Sequence, residues 1–465
     1  MTNEATPSQV AEALASLRHW RSIGGTPPLG YRRRQLEALQ RMMRENTSVF
    51  EATLASDLGK SAIEATVTEL GGVISEAEHA ASRLRYWAAP KRQSVTAALL
   101  PASASIQPEP RGVSLIMSPW NYPVLLTLSP LIGAIAAGCS AIVKPSELAP
   151  ATSAALATLI PQYLDPKLVT VVEGDAETAR ALLELQFDLI FYTGNGVVGR
   201  KIASAAAQHL TPTVLELGGK SPNYIHRSAN VRVAARRIAW AKFVNAGQTC
   251  IAPDYVVVDA EVAGEFHDEL ALAIESMFGS DAQRSDDFGR IVNERHFDRL
   301  SALLENASLV LGGQSDKEDL FISPTVLSNV SASDPVMQEE IFGPILPVIE
   351  VDSVASAIET INLHPTPLTM SIYTADDSVT ETVVAATQSG SVCVNFALAH
   401  MQIADLPFGG IGESGYGSSR GKNSFKAFSH YRPIVKKSTF PDTLRLLYPP
   451  FSADRERLLR KIVSP

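Results

Sequence analysis

The sequence predicts an α/β protein built on doubly wound parallel sheets. Three observations carry that expectation. Short, nearly continuous apolar runs alternate with helical segments; residues with distinctive chemistry fall at the ends of those runs; and the chain is too long for one core. At 465 residues it exceeds the roughly 250–300 residues that a single hydrophobic core serves, so two or three structural units are expected. Hydrophobic residues make up 45% and charged residues 19%, the balance of an ordinary globular protein.

Taken in order, residues 8–90 place apolar side chains three and four positions apart, as in Leu36, Leu39, Met42, Met43 and Phe50, with basic residues between them. That spacing predicts amphipathic helices. The stretch PASASIQPEP (101–110) alternates small and polar residues between prolines and predicts an exposed or edge strand. Apolar runs at 113–117, 141–143, 168–172, 189–192 and 214–217 then alternate with helical segments such as 151–160 and 197–208. Unbroken apolar strands in that rhythm imply a parallel sheet covered on both faces. The most apolar stretch, 123–138, is shorter than the roughly 20 residues a bilayer demands and contains Pro130 and Gly133, so it reads as a buried helix. A second, less regular alternation from Val231 to about Val394 predicts a second α/β unit, with the boundary placed near residue 210. The glycine-dense run 409–421 reads as a loop crossing between units, and the β-prone stretch 429–437 as an arm or edge strand.

Charge and cysteine usage narrow the function. The net charge of −9, with basic residues dispersed, leaves no footprint for nucleic acid. Three cysteines, Cys139, Cys250 and Cys393, lie far apart without CxxC spacing, and nine histidines show no paired spacing. Neither a disulfide framework nor a metal is expected, and a reducing cytoplasm fits best. The polar, acidic amino terminus lacks the layout of a signal peptide. The carboxyl-terminal ADRERLLRKIVSP is too charged to serve as a membrane anchor.

Ligands of open parallel sheets gather beyond the carboxyl ends of the strands, where Asn121, Lys144, Gly194 and Glu216 all fall. Gly194, Gly196 and Gly199 spell GxGxxG between a strand and a helix, a dinucleotide signal with many chance matches. It is not borne by the sheet's first strand, so Gly196 is taken as a helix start suited to a cofactor or anion. The ribose role that this template would give Glu216 is not adopted. Cys250 lies in FVNAGQTCIAPDY on a glycine-containing turn between a helix and a strand, where a thiol can face a cleft. Most free cysteines are simply buried hydrophobes, and Cys139 and Cys393 are read that way. ELGGKSP (216–222) puts a carboxylate beside two glycines that allow close approach.

Together with PWNYP (119–123), KPSE (144–147), EEIFGP (339–344) and LPFGGIGESGYG (406–417), these segments resemble the aldehyde dehydrogenase superfamily across essentially the whole chain. GQTCIAPDY, the FYTG strand end and GKNSFKAFSHYRP are similar to the class 3 branch. The resemblance implies two doubly wound α/β domains, with residues 1–209 (excluding about 91–110) binding the cofactor and 210–398 carrying the nucleophile. Residues 91–110 and 425–440 would form a small β arm for oligomerisation, and a homodimer is expected. It implies NAD or NADP as cofactor and an aromatic or medium to long-chain aliphatic aldehyde as substrate.

Residue by residue, Cys250 matches the nucleophile. Asn121 matches the side-chain donor to the oxyanion, completed by the Cys250 backbone N–H, and Glu216 matches the base that activates water. Lys144 and Glu147 match the adenine-side ribose contacts, pulling oppositely on a 2′-phosphate, and Ser146 between them belongs to the cofactor set. Glu340 and Phe342 match residues at the nicotinamide ribose and ring; Trp120, Gly194, Gly196 and Gly218 complete the cofactor set. Asn195 stands where the superfamily commonly has serine, so no serine contact is implied there. His400, Met401 and Gln402 are placed along the substrate path. A CoA-acylating relative is the alternative, against which Glu216 weighs; a third reading is a non-catalytic protein that keeps the fold.

Overall fold

The computed structural model describes residues 5–96 and 99–463. The first four residues of the acidic amino terminus, residues 97–98 of the expected arm and the last two residues of the charged tail lie outside them. Two large sheets organise the chain. The first has six strands in the order Gly415–Tyr416, Thr213–Glu216, Leu189–Thr193, Val113–Met117, Ser140–Lys144 and Val169–Val171. All run parallel except Gly415–Tyr416. The second has seven, in the order Leu309–Leu311, Thr325–Leu327, Ile345–Val351, Tyr255–Asp259, Pro222–Ile225, Thr369–Tyr373 and Ser391–Val394. Only Leu309–Leu311 is antiparallel.

Why the apolar runs are continuous is visible in the packing. Along Val113–Met117, Leu115 and Met117 join one core with Leu14, Leu17 and Ile202 from the helices Pro7–Gly24 and Gly196–Gln208. Ile116 joins the opposite core, with Leu128 and Ile132 of Leu125–Ala137. Successive strand residues point to opposite faces, so a sheet with helices on both sides needs an apolar residue at every position. Leu125–Ala137 is the buried helix expected at 123–138: all but one of its thirteen residues are buried, and Gly138 closes it at φ +89°. A Cβ on Gly133 would lie 2.5 Å from the Ser424 Cβ, so this glycine lets Gly421–Ala427 pack directly against it.

The chain passes between sheets at 217–221, later than the expected boundary near 210. Thr213–Glu216 pairs with Leu189–Thr193 and remains in the first sheet. It returns through the glycine run, from Ser391–Val394 in the second sheet to Gly415–Tyr416 in the first. The arm is a three-stranded antiparallel sheet of Lys91–Gln93, Ala102–Pro110 and Ser429–Lys437. Ala102–Pro110, expected exposed or at an edge, is the middle strand. Its prolines survive there because Lys91–Gln93 pairs only with residues 104–106, leaving Pro108 and Pro110 with a neighbour on one side only. Among the described residues no helix is long and apolar enough to cross a membrane.

Candidate active site

The C-terminal ends of four adjacent strands of the first sheet form a rim, from which Glu216, Gly194, the segment 118–124 and Lys144 project in that order. Cys250 reaches this rim from the second unit on a loop with unusual backbone. After the helix Val231–Phe243, Asn245 and Ala246 adopt φ values of 53° and 50°, and Gly247 follows at 76°. Left-handed backbone at a non-glycine residue costs about 1–2 kcal/mol, so the loop persists only because its surroundings determine it. The Asn245 amide donates to the carbonyls of Asn121 (2.9 Å) and Gln248 (3.1 Å), and its backbone N–H donates to Glu64 Oε1 (2.9 Å). The Gln248 side chain donates to the carbonyls of Asn245 and Arg290 and accepts from the Val292 N–H. Gly247 lies so close to the Gly343 carbonyl that a Cβ would stand 2.2 Å from it.

Asn121 is buried, and its Nδ2 donates to the Gln248 carbonyl at 3.0 Å, two residues before Cys250. One amide N–H is left for other use. Beneath it, Lys60 and Glu69 form a fully buried ion pair at 2.6 Å. Lys60 Nζ also donates to the Asn121 carbonyl (2.9 Å) and lies 4.0 Å from the centre of the Tyr122 ring. Glu69 accepts from the N–H groups of Val124 and Leu125, so one carboxylate starts the central helix and holds the lysine under the PWNYP turn.

Cys250 and Glu216 line one cavity of about 510 Å³, together with Tyr122, Trp240, Met401 and Arg420. The sulfur borders an apolar cluster including Ile251, Leu368 and Leu398. Burial, reinforced by the carboxylates of Glu340 and Glu216, pushes the Cys250 thiol up to about 12. Burial likewise raises Glu216 to about 7, outweighing Ser419 and Arg420, which draw it down. Neither Glu216 oxygen makes a well-formed hydrogen bond, and both are buried. A carboxylate held this way binds a proton readily near neutral pH.

A family model for the aldehyde dehydrogenase family matches residues 1–434.

The chain belongs to the aldehyde dehydrogenase family.

Its relatives include a rat aldehyde dehydrogenase described as dimeric and NADP-preferring, 41% identical over 97% of this chain and 100% of that protein. A bovine aldehyde dehydrogenase family 3 member B1 is 44% identical, with 97% and 96% covered. A Staphylococcus aureus aldehyde dehydrogenase, solved in a substrate-bound state, superimposes with a TM-score of 0.95 at 37% identity, covering 97% of this chain and 99% of that one. A Mycobacterium tuberculosis aldehyde dehydrogenase solved with NAD⁺ gives 0.85 at 26% identity, covering 93% and 90%. This aldehyde dehydrogenase is thus an NAD(P)-dependent enzyme, in line with its motifs.

The remaining residues singled out in the aldehyde dehydrogenase sequence fall as follows. Glu340 packs against Gly218, where a Cβ would stand 2.0 Å from Oε2; burial, with Asp254 adding to it, raises Glu340 to about 8. The loop bearing Glu340 and Phe342 is fixed by the buried Lys220–Asp254 pair. Lys220 also donates to the carbonyls of Val336 and Glu339, and Asp254 accepts from the Ile341 N–H. Phe342, at φ 51°, meets the edge of Trp120 at 5.4 Å between ring centres. Lys144 Nζ pairs with Glu147 at 2.7 Å, and the Ser146 hydroxyl accepts from the Leu148 N–H.

Three positions have structural occupations of their own. Asn195 Oδ1 accepts from the Val198 N–H and caps the helix beginning at Gly196. A Cβ on Gly194 would lie 2.1 Å from the Tyr192 hydroxyl, so the room beside that glycine belongs to Tyr192. His400, expected beside Met401 and Gln402 on the substrate path, does not line the main cavity, whereas the other two do. It lies 3.0 Å from the Ser391 hydroxyl at a second cavity of about 220 Å³, because the short helical turn Ala399–Gln402 turns its ring toward the strand Ser391–Val394. Lys60, Glu69, Asn245, Gln248, Arg420 and Glu76 went unnoticed in the sequence.

Proposed function

We propose that Cys250 of this enzyme adds to the aldehyde carbon, and that Glu216 then activates the water that releases the acid. The carrying observation is that these two side chains, distant in sequence, border one largely apolar cavity. A new C–S bond would convert the carbonyl oxygen to an oxyanion, met by the free Asn121 N–H and the backbone N–H of Cys250; donors in such a dry site contribute about 3 kcal/mol each. Because the thiol is raised to about 12, its proton must leave as the bond forms, reaching solvent as the proton each turnover releases with the reduced cofactor; Glu216, near 7, is tuned to the later proton transfer from water. When bound, the nicotinamide supplies the acceptor for hydride from the thiohemiacetal carbon. The resulting thioester is attacked by water as Glu216 takes one water proton; the C–S bond breaks, the acid departs and the thiol is restored. An ionisable acid lining the same cavity as the sulfur favours water over CoA as acyl acceptor.

For NAD or NADP, Lys144, Ser146 and Glu147 offer a donor and acceptors at one strand end, suited to ribose hydroxyls. Trp120, Gly194, Asn195, Gly196, Gly218, Glu340 and Phe342 are assigned to the nicotinamide half. The Glu340 carboxylate, half-buried and seated against a glycine, fits an acceptor for ribose hydroxyls, whereas Asn195 would contribute through its backbone, its side chain being engaged by the helix.

Aromatic and medium to long-chain aliphatic aldehydes fit the cavity's mainly apolar wall, and its volume lies within the roughly 300–1,000 Å³ typical of small-molecule sites. The arm is assigned to pairing two copies: Val435 and Tyr431 are exposed on its strand Ser429–Lys437, and Val392 and Val394 are exposed on the open edge of the seven-stranded sheet. Free thiols at Cys139, Cys250 and Cys393 fit a cytoplasmic setting. The deciding experiment follows reduced cofactor formed from benzaldehyde and hexanal. Cys250→Ala should abolish it, and substantial turnover by that variant would remove the nucleophile assignment.

A further inference from the structure

The wall of the catalytic cavity carries a charged pair that the chemistry above does not use. Arg420 is 6% exposed and Glu76 7%, and Arg420 Nη1 donates to Glu76 Oε2 at 3.0 Å. Both line the cavity that contains Cys250. Glu76 is fully engaged: it also accepts from the Ser129 hydroxyl (2.6 Å) and from the Gly421 N–H (3.2 Å). The arginine is not. Among the described residues, Nε and Nη2 of Arg420 have no hydrogen-bond partner, although a buried guanidinium normally uses most of its five donors. Its backbone is equally unusual, at φ +75° in a region that non-glycine residues avoid. It is pinned there by the bond from its own N–H to the Ser424 hydroxyl at 2.8 Å. A buried, strained arginine on a substrate cavity, with one face of its fork unpaired, is an acceptor-recognising group in waiting.

We infer that Arg420 determines substrate choice, its Nε–Nη2 edge receiving a carboxylate carried by the aldehyde at the end remote from the reacting carbon. That edge presents two parallel N–H donors, the geometry that matches the two oxygens of a carboxylate. Arg420 also draws both Cys250 and Glu216 downward in proton affinity, which places its charge within electrostatic reach of the reacting atoms. An aldehyde spanning from the sulfur to the guanidinium stays inside the one cavity. The favoured class is therefore an aromatic or aliphatic aldehyde bearing a far-end carboxylate, in preference to its unsubstituted counterpart.

The inference rests on Cys250 being the nucleophile, and the test separates the two. kcat/KM is measured for two matched pairs, benzaldehyde with 4-formylbenzoate and hexanal with 6-oxohexanoate, on the native enzyme, Arg420→Lys and Arg420→Gln. A charge-assisted bidentate contact is worth about 1.5–3 kcal/mol, or roughly tenfold to a hundredfold. The native enzyme should favour the carboxylated member of at least one pair by about tenfold. That ratio should fall in Arg420→Lys, which keeps a charge opposite Glu76 but lacks the fork, and fall further in Arg420→Gln. Effects of the substitutions on Cys250 or Glu216 cancel in the ratio. A native enzyme that prefers the unsubstituted member of both pairs overturns the inference, whatever the variants do, as does a ratio unmoved in both variants. Failure to oxidise any of the four aldehydes would instead strike at the thioester chemistry itself.

Discussion

Replacing Glu216 with glutamine keeps the shape of the side chain and removes its ability to take a proton. If its work lies in activating water, the first turnover survives: mixing enzyme, cofactor and benzaldehyde should give a burst of reduced cofactor close to one equivalent, followed by a much slower phase. General bases contribute about 10²- to 10⁴-fold, so the steady rate should fall by at least about 100-fold. The native steady rate should rise with pH as Glu216 loses its proton around 7, and that step should vanish from the variant's residual rate. Stability supplies a second reading with its own sign. The folded carboxyl titrates near 7 against an ordinary value of 4.5, so the ionised form is disfavoured by the fold. No penalty exists below pH 4.5; it grows between 4.5 and 7 and is constant above, reaching about 3 kcal/mol from a difference of roughly 2.5 pKa units. Denaturation of native enzyme and Glu216→Gln should therefore diverge in the variant's favour as pH rises through that window, by an amount reduced by the cost of burying the amide. A stopped-flow trace in which the variant keeps the native steady rate refutes the base assignment. Loss of the burst together with the steady rate would show that the same carboxylate is also required to remove the thiol proton.

Two further substitutions probe the scaffold and the cofactor side. Lys60→Met leaves the Glu69 carboxylate uncompensated in the core, where breaking a buried pair costs about 3–5 kcal/mol; thermal unfolding should shift well downward, and an unchanged transition would mean that the pair does not brace the Asn121 turn. Glu147→Gln removes the half-exposed acid beside Lys144, so the ratio of kcat/KM for NADP over NAD should rise by about threefold; a fall in that ratio would place the 2′-position elsewhere.

Much of this architecture was legible because its signals are local. Continuous apolar strands declare a doubly covered sheet within five residues, and the segments carrying Glu216 and Cys250 are short and compositionally distinct. What escaped notice depends on contacts between distant parts of the chain. Arg420 and Glu76 are separated by 344 positions, and Lys60 reaches the Asn121 carbonyl across 61; each alone reads as an ordinary solvated charge. The left-handed turn at Asn245 and Ala246 could not be read from propensity, since alanine rarely adopts that backbone, and it is imposed by Asn121, Glu64 and Gln248. Asn195 was placed in the cofactor site by its position in a motif, whereas its side chain answers to the nearest unpaired helix N–H. Ala102–Pro110 was expected exposed or at an edge because of its prolines, yet it is the middle strand, and its short neighbour Lys91–Gln93 stops before reaching them.

The same burial that encloses the site explains how its protons are arranged. Glu340 near 8 and Glu216 near 7 are each far above an ordinary carboxylate, and both charges contribute to lifting Cys250 to about 12. At neutral pH Glu340 mostly retains its proton and Glu216 is divided between its two states, so the thiol meets little negative charge beside a largely apolar wall. A thiolate there would be costly in advance of reaction, which keeps the sulfur protected from chance electrophiles. Once an aldehyde arrives, the proton departs as the C–S bond forms, and the negative charge moves to an oxygen for which donors already exist. The thiol's high resting affinity for its proton is therefore compatible with a nucleophilic role, provided that attack and proton removal are coupled.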